Sequence, residues 1–386
     1  MQASAPIIIA GHICLDLIPA LADAALPAPG RLMRIGPATV STGGAVANTG
    51  LALHRLGADV RLMGKVGDDI FGRAILDVLR GHDHKLAEDM IVAAGEATSY
   101  SIVINPPGVD RSFMHFPGTN DTFTDADVPY ETFGDARLFH FGYPPVMAKM
   151  YAAGGAELRS MFMRVRERGI ATTLDLCQPD PDSEAGRLDW AALLSRVLPN
   201  VDVFFPSVDE LMFMLDRPMH TRLAAGEDVI DGALLRRLAD RLTAWGTATV
   251  VIKLGERGLY VRTSSDPSVI AACCRRVGLV AADWTDREIY APCFVARAVV
   301  GTTGSGDCTI AGFLAALSRG DGPVEAATAA TAVGAASVEA ADATGGVPPW
   351  GVIEQRLNAG WPRHRGSIRF ENPTPPADAS GTVLLR

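Results

Sequence analysis

Apolar and polar positions follow two rhythms along this chain. Short runs rich in β-branched and other apolar residues, at 6–10, 60–63, 99–104, 171–176, 201–205 and 249–254, predict strands. Between several of them the apolar spacing changes to three and four residues. Phe71, Ile75, Val78 and Leu79 share one helical face, and 154–168, 190–198 and 231–245 read the same way. Strands alternating with helices need crossover connections, which predicts an α/β fold with a central, mostly parallel sheet flanked by helices. Two stretches break the rhythm. Residues 31–41 and 99–116 alternate apolar and polar positions without an intervening helix, and Pro106, Pro107 and Gly108 supply a turn. They predict a small antiparallel β flap, a discontinuous lid at about 12–42 and 96–118 of a domain spanning 1–361. From 362 to 386 the chain is rich in Pro, Gly, Asn and Ser with little periodicity and reads as a peripheral tail.

Composition narrows the classes of partner. With 386 residues, 48% of them hydrophobic, the chain can bury a large core. A formal net charge of -9 argues against nucleic acid or an anionic membrane as partner, so any phosphate site must be built locally. The six cysteines form no C-x-x-C pair, and Cys273 and Cys274 are adjacent, which reads as reduced thiols. No apolar run reaches the roughly 20 residues of a membrane helix, and a cytoplasmic protein is expected.

The strongest chemical signal is Gly301-Thr302-Thr303-Gly304-Ser305-Gly306-Asp307, followed by a helical run with Ile310, Phe313, Leu314 and Leu317 on one face. Glycines let main chain approach a ligand closely, and first-turn amides lack intrahelical partners, so the amides of Ser305, Gly306 and Asp307 can form an anion hole. Asp307, at its mouth, can accept a proton from a hydroxyl while the amides stabilise charge on a transferred phosphoryl group. The competing reading is an ordinary glycine-rich turn with a capping Asp. A second signal, Gly43-Gly44-Ala45-Val46-Ala47-Asn48, leads into a small-residue helix that stops at Gly57. The paired glycines bring backbone near a small ligand, and Asn48, one turn on, can bind hydroxyls; tight helix packing around a buried polar residue is the alternative.

With both motifs in place, the sequence resembles the PfkB (ribokinase-like) family of carbohydrate and nucleoside kinases. The opening signature is matched by Gly43-Gly44, Asn48, Leu56-Gly57, Gly64-Lys65-Val66-Gly67-Asp68-Asp69 and Phe71-Gly72, and the closing one by Thr302 through Asp307. The resemblance implies a ribokinase-like fold and an ATP-dependent kinase. Asp307 would be the base, and Gly304, Ser305 and Gly306 the anion hole. Asp16, with Gly43, Gly44 and Asn48, would grip the hydroxyls of a sugar-like substrate. Lys253-Leu254-Gly255-Glu256-Arg257-Gly258 is similar to the family's strand-to-glycine turn along the nucleotide phosphates, which assigns Lys253, Gly255, Gly258 and Thr303 to ATP. Ser207-Val208-Asp209-Glu210 takes the place of the family's Asn-x-x-Glu, so Glu210 would order Mg2+ through water. The lid would close over substrate and pair two subunits into a homodimer.

Three departures bear on these assignments. Ser207 replaces the family's Asn, which weakens contacts there. Gly301 replaces a common acidic residue that helps bind a monovalent cation, which counts against activation by such an ion. Ala45 stands where ribokinase carries a lysine, which argues against ribose. His115 and His140 read as packed or surface histidines, although His115 lies in the lid. Asp175 is a secondary candidate beside a helix-capping role for its run of acids. A nucleoside kinase and a non-catalytic ligand-binding regulator on the same fold remain alternatives; a dinucleotide-dependent oxidoreductase lacks its glycine turn after the first strand, where Gly11-His12-Ile13 stands. Residues 263–297 read as an insertion near the nucleotide, and nothing in the pattern names the phosphoryl acceptor.

Overall fold

The central strands are apolar at successive positions because both faces of their sheet are covered. In β1 (Ile7–Gly11), Ile7 and Ile9 join one core cluster while Ile8 and Ala10 join the other, on the opposite face. The computed structural model describes residues 5–21, 29–106, 112–365, 368–370 and 381–385. Within them the chain continues through β2 (Cys14–Pro19), β3 (Ala38–Gly43), β4 (Val60–Met63), β5 (Lys65–Gly67), β6 (Ile91–Ala93), β7 (Tyr100–Ile104) and β8 (Ser112–Phe116). It then forms β9 (Leu138–Gly142), β10 (Ala171–Asp175), β11 (Val203–Phe205), β12 (Thr249–Lys253), β13 (Leu259–Thr263), β14 (Glu288–Ala291) and β15 (Val383–Leu384). Nine strands make the main sheet in the order β15-β14-β13-β12-β11-β10-β9-β1-β4. From β4 to β12 every pair is parallel; β13, β14 and β15 are added antiparallel. This is the mostly parallel, helix-flanked α/β fold that the alternation predicts.

The lid is a separate four-stranded sheet, β3-β2-β7-β8. Its strands come from the two expected regions, but it is mixed rather than purely antiparallel, because β2 and β7 run parallel. A crossover through β4 to β6 separates them, so no hairpin dictates their direction. The first lid segment also starts late: alternation begins at 31, yet pairing begins at Ala38. Of the predicted turn, Pro107 and Gly108 lie outside the described residues.

Residues 263–297 are an integral part of the fold. They hold the end of β13, a helix at Pro267–Val277 that buries Cys273 and Cys274, and β14 in the main sheet. The stretch from 362, expected to be peripheral, is tied down where it is described. Phe370 stacks on Tyr260 at 6.1 Å, Arg363 lies 3.8 Å over Phe294, and β15 extends the sheet edge. Among the described residues no helix is long and apolar enough to cross a membrane.

Candidate active site

Parallel strands deliver their carboxyl ends to one edge of the sheet, where open α/β sheets gather ligands. Here those ends carry His12 after β1, Tyr143 after β9, Asp175 on β10, Ser207 after β11 and Lys253 on β12. A helix at Ser305–Arg319 completes the set. Its N-cap, Gly304, has φ 68, a left-handed conformation that costs glycine little, and a side chain there would collide with Ala343. The Ser305 amide donates to the Thr302 carbonyl at 3.3 Å, whereas the Gly306 and Asp307 amides find no acceptor among the described residues. The Thr303 hydroxyl beside them is buried without a partner. Of the amides at this helix start, Ser305 is taken up by Thr302, and those of Gly306 and Asp307 remain free to meet an anion.

Asp307, in the first turn of that helix, is only 2% exposed, and its side chain is no cap. Its Oδ2 accepts from Asn48 Nδ2 at 2.9 Å, and the Tyr143 hydroxyl lies 2.9 Å from both carboxylate oxygens. Asn48 sits on the helix at Ala45–Leu56, and its amide bonds back to Gly44, so Asp307 stands one helical turn from the glycine pair. Burial raises the Asp307 pKa; Asn48, the charge of Lys253 and the Tyr143 hydroxyl oppose the rise without cancelling it. Tyr143 escaped the sequence reading. It has φ 67, a left-handed backbone uncommon for a non-glycine residue, and its hydroxyl reaches Asp307. A polar aromatic followed by Pro144-Pro145 at a strand's carboxyl end was the available signal.

Next to Asp307 lies a charged cluster. Lys253 Nζ pairs with Asp175 Oδ1 at 2.5 Å, and it comes within 3.8 Å of where a side chain on Gly306 would begin. The ammonium group thus sits at the mouth of the amide cradle. Asp175 pairs with a lysine rather than capping a helix, and its Oδ2 is buried and unpartnered. Ser207 and Glu210 form a capping box on the helix at Val208–Leu215: Glu210 Oε2 accepts the Ser207 amide at 2.7 Å, and Ser207 Oγ accepts the Glu210 amide at 3.1 Å. Burial raises the pKa of both Asp175 and Glu210, and Lys253 opposes each rise. Burial likewise works against the charge on Lys253, but Asp175, Glu210 and Asp307 together hold it protonated above its ordinary range. Three carboxyl groups around one ammonium, with the orphaned Asp175 oxygen, make an oxygen-rich cluster that fits a hard divalent cation such as Mg2+, which needs few protein ligands. Beyond Lys253 the chain turns tightly, with Gly255 at φ 59 and Gly258 at φ 105, and the Leu254 amide closes the turn on the Gly258 carbonyl at 2.9 Å.

The lid supplies the opposite wall. Asp16 on β2 is in register with Ser41 on one side and Ser101 on the other, and Ser101 is in register with His115, giving a polar row across four strands. The glycine pair has a steric reason. A side chain at Gly43 would strike the Asp16 carboxylate, and one at Gly44 would strike His12. His140, by contrast, is a packed core histidine bonded to Thr173 at 2.9 Å.

Residues 5–350 match the sequence model described as pfkB family carbohydrate kinase. Fructokinase-1 of Oryza sativa subsp. japonica is 31% identical over 169 residues, which cover 43% of this chain and 49% of that protein, so the match spans about half the relative's length. Two solved structures share the fold. The Arabidopsis thaliana ribokinase complexed with ribose and ATP has a TM-score of 0.70 at 18% identity, covering 92% of this chain and 99% of that one. The Burkholderia thailandensis nucleoside kinase in complex with inosine has a TM-score of 0.63 at 18% identity, covering 92% and 98%.

Proposed function

We propose, from the premise that this chain belongs to the pfkB family of carbohydrate kinases, that it transfers the γ-phosphoryl group of ATP to a hydroxyl of a sugar-like small molecule. The observation that carries this reading is the position of Asp307. A buried carboxylate stands in the first turn of a helix whose Gly306 and Asp307 amides are free to bind an anion, and it is bonded to Asn48 beside the glycine pair. Asp307 takes the proton of the acceptor hydroxyl as that oxygen attacks the γ-phosphorus and the bond to the β-phosphate oxygen breaks. The amides of the cradle, with the Thr303 hydroxyl and Lys253, hold the negative charge of the phosphoryl group in flight. Gly255 and Gly258 let the turn after β12 run close to the nucleotide. Glu210 and Asp175 are the residues that would hold Mg2+, Glu210 through water, and the ion would supply neutralising charge to the phosphates. Asp16 and Asn48 orient acceptor hydroxyls, and the lid excludes water.

A nucleoside acceptor is the second reading, favoured by the rings of His12, His115 and Tyr143 gathered where lid meets core, with centroids 5.3 and 6.1 Å apart. ATP-dependent phosphorylation of a panel of hexoses, pentoses and nucleosides decides between them. Turnover of a free sugar is expected; turnover of nucleosides alone would transfer the reading to that class. Nucleotide binding without turnover of any alcohol would instead favour a non-catalytic regulator.

The lid also supports self-association. Its strand β8 exposes Phe113 (57%), Met114 (53%) and Phe116 (41%), and Val40 on β3 is 48% exposed. An apolar edge of this kind is protected when two lids pair. Light scattering is expected to give twice the chain mass, and a Phe113→Asp, Met114→Asp variant a single chain mass; a monomeric native chain would reject pairing.

A further inference from the structure

Where the lid joins the core, three side chains with no part in phosphoryl transfer converge. One ligand atom from each of His12, Cys14 and His115 lies within 4.8 Å of the other two. His12 follows a core strand and Cys14, two residues on, opens β2, while His115 lies on β8, so the group ties the β1–β2 connection to a strand about 100 residues away in sequence. The Nε2 atoms of the two imidazoles are 3.5 Å apart, a poor distance for the single hydrogen bond they could share. It is, however, close to the spacing that a shared metal imposes. With metal–nitrogen bonds of about 2.0–2.1 Å and metal–sulfur bonds of about 2.3 Å, ligand atoms around tetrahedral zinc stand about 3.3–3.7 Å apart.

We propose that His12, Cys14 and His115 form a three-ligand site for a zinc-class divalent cation, clamping the lid to the core loop after β1. The surroundings suit such a site. Ser101 Oγ lies 3.0 Å from His115 Nδ1 and donates to Cys14 Sγ at 3.8 Å. A hydroxyl has one proton, so with that proton on the sulfur side Ser101 accepts from Nδ1–H. This tautomer leaves the His115 Nε2 lone pair aimed at His12, the arrangement by which an outer-shell partner orients a ligating histidine. Burial keeps His12 neutral, its pKa lowered to about 3, and lowers that of His115 as well, so both rings are in their ligating form. The Cys14 thiol is protonated in the metal-free protein, its pKa raised by burial and by Asp16. Binding exchanges the S–H bond for a metal–sulfur bond and releases one proton to solvent. The mixed nitrogen and sulfur donors select a softer ion than the oxygen-rich cluster of Asp175 and Glu210. Three protein ligands leave a fourth position, and Asp16 Oδ1, 3.4 Å from Cys14 Sγ, marks that side as the proposed acceptor pocket.

Metal binding is read without any phosphoryl transfer, so this inference and the kinase reading fail separately. The test is titration of the chelator-stripped full chain with Co2+, followed by displacement with Zn2+. One cobalt per chain is expected, with a thiolate-to-cobalt charge-transfer band in the near ultraviolet and tetrahedral bands in the visible. Cys14→Ser should abolish the charge-transfer band. Ser101→Ala should weaken binding by about 10- to 100-fold. His115→Gln, on the exposed strand β8, should keep the fold and lose the rise in Tm that Zn2+ gives the native chain. Absence of the charge-transfer band in the native chain, its persistence in Cys14→Ser, or an unchanged zinc-induced rise in His115→Gln would each overturn the site.

Discussion

Replacing Asp307 by Asn is expected to lower kcat by about 100- to 10,000-fold, the contribution of a positioned general base, while the protein stays folded. The change is nearly isosteric and keeps an oxygen for Asn48 and Tyr143 to donate to. It also removes a buried charge. A carboxyl whose pKa is raised by folding stabilises the protein fully at low pH, and that stabilisation is lost as the pH climbs through the raised value. Above that raised value the ionised Asp307 is a cost, and there the Asn variant should melt no lower than the native chain. The same shift predicts that activity in the native enzyme falls on the acid side at a pH above the ordinary carboxylate value. Steady-state kinetics and thermal melts check both halves; near-normal turnover by the Asn variant would remove Asp307 from the role of base.

The second large effect is at Lys253. Lys253→Met should cost about 3–5 kcal/mol of stability, because it leaves the Asp175 carboxylate buried and uncompensated, and Asp175 is only 1% exposed. It should also raise KM for ATP and lower kcat, since the ammonium sits at the mouth of the amide cradle. Adding Asp175→Asn separates the two roles. The double variant removes the stranded charge and should regain most of the lost stability, while ATP turnover stays low. Denaturant melts and kinetics of both variants give the answer, and recovery of turnover together with stability would reduce Lys253 to a structural ion.

Which of these features could be read from the chain follows from how local their causes are. The strands and helices of the main sheet carry their period in consecutive residues and were legible, and the glycine run before Asp307 is one continuous motif whose helix start was legible too. Asn48 and Asp307 are 259 positions apart, yet each lies in a motif whose backbone requirements are local. Other features were not legible. The parallel pairing of β2 with β7 depends on a crossover rather than a turn, so alternation alone could not give its direction. Asp175 reads as a cap until the fold brings Lys253 across from β12. Tyr143 has no periodic signal at all, because its place is set by a left-handed backbone at a strand end. The helix and strand within 263–297 were obscured by weak, irregular periodicity, and the contacts of Phe370 and β15 with the sheet edge arise only from tertiary packing.

The most direct test of the central claim is a crystal structure with a non-hydrolysable ATP analogue and an acceptor from the substrate panel. The account predicts the γ-phosphate against the Gly306 and Asp307 amides and one acceptor hydroxyl at about 2.6–3.2 Å from the Asp307 carboxylate, in the place now taken by the Tyr143 hydroxyl. An acceptor whose reactive hydroxyl lies out of reach of Asp307, with the phosphate away from the start of that helix, would contradict it.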